Sequence, residues 1–94
     1  MPTIEFYGIG SDEQTRLKRH LREKLSQDDF REDCVFVTAA RSEVVDWQGR
    51  SRPFIRVSTR SAGRGQRFRD VLYGVCDLEI VRIEFHPQLN ESGD

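Results

Sequence analysis

The order of apolar and polar positions divides the chain into six elements. Thr3, Ile4, Phe6, Tyr7 and Ile9 make a first run rich in β-branched and aromatic side chains, closed by Gly8 and Gly10, which reads as a strand. Ser11-Asp12-Glu13-Gln14 has the form of a capping box, with the Ser11 hydroxyl as the expected cap and Gln14 reaching back. Leu17, Leu21 and Leu25 then recur every four residues among charged ones, which predicts an amphipathic helix over 11–27 with one narrow apolar stripe. After a polar connection anchored by Phe30, Cys34 to Ala40 is nearly continuous in apolar residues, and so predicts a strand covered on both faces. Arg41 to Trp47 reads as extended chain and Gln48-Gly49 as a turn. In a third strand, 53–59, Phe54, Arg56 and Ser58 share one face with Arg60, while Ile55, Val57 and Thr59 share the other. Residues 61–65 read as a glycine-rich loop. A helix of about two turns is expected over 66–73, stopped by Gly74. A last strand over 78–85 ends before Pro87, and 89–94 is a polar tail.

The order is β-α-β-β-α-β. A strand, a helix and a second strand within some forty residues make a βαβ unit with parallel strands and a right-handed crossover. One unit covers 2–40 and a second covers 53–86. The expectation is a single α/β (α+β) domain over 1–94, with a four-stranded mixed sheet and both helices on one face. The other face has nothing left to cover it, and an apolar bare face on so small a chain implies self-association.

At 94 residues the chain has room for one domain, and 33% of it is charged. No run of apolar residues is long enough to span a membrane, and the first residues do not have the form of a secretory signal. Cys34 and Cys76 are too far apart in sequence for a CxxC pair and suit a reducing compartment. The expected location is therefore cytoplasmic. Two cysteines with His20 and His86 do not have the spacing of a metal site, so no metal is expected. The net charge of −1 conceals an asymmetry. Residues 47–69 carry seven arginines and no carboxylate, whereas the rest holds eight basic and sixteen acidic residues and so carries −8. Arginine suits bidentate binding of carboxylate or phosphate, although a GC-rich bacterial genome also favours it.

The chain starts Met1-Pro2. Aminopeptidases remove Met before small residues such as Pro, which would leave a secondary amine held in a rigid ring. Nearby guanidinium groups and an apolar setting both lower the pKa of an amine. A base that titrates near neutrality suits proton transfer at a carbon acid, with arginines holding the substrate carboxylate and the developing enolate. The competing reading is that Pro2 serves N-terminal processing alone.

Met1-Pro2-Thr3-Ile4-Glu5-Phe6, followed by the helix start Ser11-Asp12-Glu13-Gln14, resembles the tautomerase superfamily. That superfamily includes the oxalocrotonate tautomerases, the carboxymethyl-hydroxymuconate isomerases and macrophage migration inhibitory factor. Ala40 to Val44, Val57 to Arg64 and Glu84 to Asn90 are similar to the muconate isomerase group in particular. The resemblance implies a tautomerase-like fold with Pro2 as the catalytic base. It also implies Arg41, Arg60 and Arg64 as substrate-binding residues for a small enolisable carboxylate. It implies no cofactor and a homotrimer with pockets between subunits. Small bacterial proteins of the same type keep the Met-Pro start with no assigned reaction, so a non-catalytic protein acting by binding or assembly is the alternative.

A reading from another class is single-stranded nucleic-acid binding, with sheet aromatics stacking bases and the basic segment holding phosphates. Arg52 to Val57 lacks the glycine and alternating aromatics of that motif, and the net charge disfavours it. Gly63-Arg64-Gly65 before a helix suits either an anion site or a turn. Cys34 and Cys76 read as small buried hydrophobes rather than nucleophiles, and His20 and His86 as surface residues. Trp47 and Phe54, flanking the turn, read as interface or core residues that could also wall a pocket.

Overall fold

A computed structural model describes residues 2–39 and 43–86. Strand β1 (Thr3–Tyr7) leads into helix α1 (Ser11–Lys24), and a short 3-10 turn (Arg31–Asp33) precedes strand β2 (Val35–Ala39). Strand β3 (Phe54–Thr59), helix α2 (Ala62–Leu72), a second 3-10 turn (Leu78–Ile80) and strand β4 (Val81–Phe85) complete the fold. The sheet order is β2-β1-β3-β4. β1 pairs parallel with β2, β3 parallel with β4, and the two central strands run antiparallel. This is the expected mixed sheet of two βαβ units, a small α+β fold with two helices.

Alternation along the central strands builds the core. Ile4 and Phe6 of β1 and Ile55 and Val57 of β3 lie buried on one face. Leu17, Leu21 and Leu25, the stripe seen in the sequence, pack there with Phe68, Val71 and Leu72. Polar bonds reinforce the pairing of the helices. His20 Nε2 donates to the Val71 carbonyl at 3.0 Å, and Arg67 reaches both the Asp28 carboxylate and the Lys24 carbonyl at 2.9 Å. His20 is thus half-buried and bonded, not the surface residue expected.

Several expectations change at element boundaries. α1 is capped by Gly10 rather than by the Ser11 side chain. Gln14 does reach back, but it donates to the Ile9 carbonyl at 2.7 Å. α1 also stops at Lys24, three residues short of the expected end. Residues 62–65 are helical rather than a loop, because the Ser61 hydroxyl accepts the Arg64 N–H and caps α2. α2 therefore has 11 residues, about three turns instead of two. The last strand is shorter than expected, its first three residues forming the 3-10 turn.

β2 is an edge strand covered on one face only. Val35 and Val37 each remain 39% exposed on the face without helices. That face is not apolar overall. Glu5 of β1 and Arg56 of β3 stand opposite each other at its centre. Both Glu5 oxygens accept from the Arg56 guanidinium at 3.1 Å, and the Tyr7 hydroxyl also donates to Glu5. Glu84 of β4 lies 4.0 Å from the same guanidinium. The bare face exists as expected, but with a charged centre and valines only along the β2 edge.

Candidate functional site

Pro2 enters the fold at the start of β1, between β2 and β3. Its ring is fully buried, and its carbonyl accepts the Val35 N–H at 2.9 Å. Because Thr3 pairs with Val35, Cys34 stands level with Pro2 on the neighbouring strand. On the other side Thr3 pairs with Ser58, so β3 brings Thr59 and Arg60 to the same end of the sheet. α2 begins there as well. One end of the sheet therefore gathers Pro2, Cys34, the end of β3 and the first turn of α2.

Two of the three arginines of interest belong to this end. Arg60 follows the last residue of β3 and is exposed. Arg64, in the first turn of α2, places its guanidinium 5.0 Å from the centre of the Phe30 ring and 4.0 Å from the Asp33 carboxylate. Arg64 is half-buried, held by an aromatic face and a long ion pair. Burial pushes the Cys34 thiol up, Asp33 adds to the rise, and Arg64 opposes it. Cys34 is half-buried, where the sequence suggested a buried residue. Cys76, also half-buried, is raised by burial too. Arg41 lies outside the described residues. β2 ends at Ala39, level with Tyr7, at the end of the sheet away from Pro2.

The basic segment is largely answered by carboxylates drawn from elsewhere in the chain. Asp46 Oδ2 accepts from Arg50 at 3.2 Å and from Arg52 at 3.0 Å, while Oδ1 takes the backbone N–H of Gln48 and Arg50. Arg56 is bound by Glu5 and Arg67 by Asp28. This pairing removes most of the continuous positive surface that phosphate binding needs. Trp47, at the tip of the Asp46 turn, is fully exposed at 101%, so within one chain it is neither core nor pocket wall.

Two of the cavities among the described residues lie between a helix and the sheet. One, of about 200 Å³, lies between α2 and β4 and is lined by Thr59, Ser61, Gly65 and Phe85 among others. The second, of about 290 Å³, lies between α1 and the β2 edge. Neither is lined by Pro2. Among the described residues no cluster of His, Cys, Asp or Glu suits a metal ion, and no helix is long and apolar enough to cross a membrane.

No protein-family model and no curated protein sequence matches the chain. Among solved structures, the crystal structure of a domain of unknown function (DUF1904) from Sebaldella termitidis matches with a TM-score of 0.63 at 18% identity. That alignment covers 100% of this chain and 98% of the other. A macrophage migration inhibitory factor from Oncomelania hupensis matches with a TM-score of 0.49 at 13% identity, over 100% of this chain and 81% of that one. The first likeness extends over both chains almost entirely and shows a shared fold.

Proposed function

We propose that this chain is a cofactor-independent keto–enol tautomerase in which Pro2, freed by removal of Met1, is the general base. The substrate is a small enolisable carboxylate. Pro2 nitrogen takes a proton from one atom of the keto–enol system and returns it to another. Arg60 and Arg64 hold the carboxylate and the enolate oxygen between the two transfers. The observation that carries this reading is the position of Pro2, fully buried at the head of a central strand, at the sheet end where β3 and α2 bring Arg60 and Arg64. Desolvation and neighbouring cations both favour a neutral amine, and a guanidinium on the enolate oxygen stabilises the charge as it develops. Arg64 is available for this role at modest cost, because its ion pair with Asp33 is long, at 4.0 Å.

The same reading calls for a homotrimer. Neither flanking cavity includes Pro2, so the pocket over its nitrogen takes its remaining walls from a second copy.

The buried Pro2 ring also favours a second reading, a non-catalytic protein of the same fold that acts by binding or assembly. Intact mass and ketonisation of phenylenolpyruvate on one preparation separate the two. Loss of Met1 with measurable turnover supports the catalyst. A free Pro2 without turnover favours the assembly protein. Pro2→Ala is expected to lower turnover by about a hundredfold or more with the oligomer intact, and unchanged turnover would sink the Pro2 mechanism.

A further inference from the structure

The cavity between α1 and the edge strand β2 has the composition of a ligand site. Its floor is apolar. Leu21 and Leu25 come from the last turns of α1, and Phe36 and Cys34 from β2 and the residue before it. The edge position of β2 leaves the cavity open at the side, because among the described residues no further strand lies beyond it. Ser26 and Cys34 are too small to fill the space between helix and strand.

The rim is charged. Arg22 lies on α1 with its guanidinium 5.2 Å from the centre of the Phe36 ring, and Arg31 lies on the 3-10 turn. Arg31 donates to the Asp28 backbone carbonyl at 3.0 Å. Among the described residues neither arginine is in an ion pair with a carboxylate, unlike Arg50, Arg52, Arg56, Arg64 and Arg67. Glu32 also lines the rim, so the mouth carries two guanidinium groups and one carboxylate. At about 290 Å³ the cavity is near the lower end of small-molecule sites, roughly 300 Å³.

We propose that this groove binds a small monocarboxylate with an apolar body, such as an aryl-alkanoate. The ring or chain would lie on Leu21, Leu25 and Phe36, and the carboxylate would be held by Arg22 and Arg31. Pro2 does not line the groove, and the proposal does not rest on the tautomerase reading.

The test is an NMR titration of the isotopically labelled full chain with phenylpropionate and, separately, with its uncharged amide. The expected result is a shift of the Leu21, Leu25 and Phe36 resonances, with the acid bound about tenfold more tightly than the amide, as a charge-assisted hydrogen bond would give. Arg22→Gln with Arg31→Gln should abolish that preference while the amide binds as before, and Arg22→Lys with Arg31→Lys should restore part of it. Equal binding of acid and amide, shifts confined to the Pro2 and Arg60 end, or a preference that survives the double Gln variant would each overturn the proposal. Repeating the titration on Pro2→Ala separates this site from the proposed catalytic one. Binding should persist there, and its loss would return the ligand to Pro2.

Discussion

At the scale of single residues, Glu5 accepts hydrogen bonds from both Arg56 and Tyr7. Hydrogen bonds from Arg56 and Tyr7 hold its carboxyl below the usual carboxylate range, with burial working against them. The bond to Glu5 raises the Tyr7 hydroxyl, burial adds to the rise, and Arg56 works against it. A carboxyl lowered by folding contributes stability that is full above its unfolded pKa and is lost as pH falls through the folded one. Acidification below the ordinary carboxylate range should therefore lower the urea midpoint of the protein. Glu5→Gln should remove part of that acid-induced loss, and identical pH profiles for the two proteins would show that the pair is not coupled to folding. The alternation of β3 placed Arg56 on the bare face, but nothing local identified Glu5 as its partner 51 residues earlier. Antiparallel pairing of β1 with β3 makes that choice.

At the scale of elements, the two glycines that made α2 read as a loop behave oppositely. A Cβ at Gly65 would lie 3.1 Å from Ile83 Cγ2 and 3.5 Å from Thr59 Cγ2, so the absence of a side chain lets α2 rest against β3 and β4. At Gly63 the nearest atom is the Ser61 hydroxyl at 3.8 Å, an ordinary contact. Gly65→Ala should destabilise the protein by about 1–3 kcal/mol through overpacking, less the small gain in helix propensity. Gly63→Ala should stabilise it by about 0.5–1 kcal/mol. Chemical denaturation of the two variants distinguishes them by sign. His20→Ala should cost about 1 kcal/mol in the same assay, because it removes the bond that ties α1 to the Val71 carbonyl. Helix propensity reads Gly63 and Gly65 alike. Only the packing of helix on sheet tells them apart.

At the scale of the molecule, the unresolved balance is between the bare face and its surroundings. In one chain the valines of β2, the charged centre of the sheet and Trp47 all face outward. The proposed trimer would cover part of this surface. Trp47 is the single tryptophan of the chain, so its fluorescence reports directly on that event. An assembly that takes up the turn at 46–49 should show blue-shifted emission that moves to the red as dilution dissociates it. Emission red-shifted at every concentration would mean that Trp47 stays in water and the turn lies outside any interface.

The hydrophobic pattern alone determined the number, kind and order of the main elements, the inward leucines of α1 and the two faces of β3. These follow from the local geometry of helices and strands, in which side-chain direction repeats every 3.6 or 2 residues. The Met1-Pro2 pair drew attention to Pro2 from the sequence as well, since it is visible without a fold. Tertiary structure decided the rest. It set which strands are edges, and so left β2 half-covered where continuous apolar sequence suggested full burial. It chose the carboxylates that pair with Arg56, Arg64 and Arg67, because those ion pairs join segments far apart in the chain. It gathered Pro2, Arg60 and Arg64 at one sheet end while carrying the end of β2 to the other. It opened the groove beneath Arg22 and Arg31, whose walls are brought together only when α1 lies across the sheet.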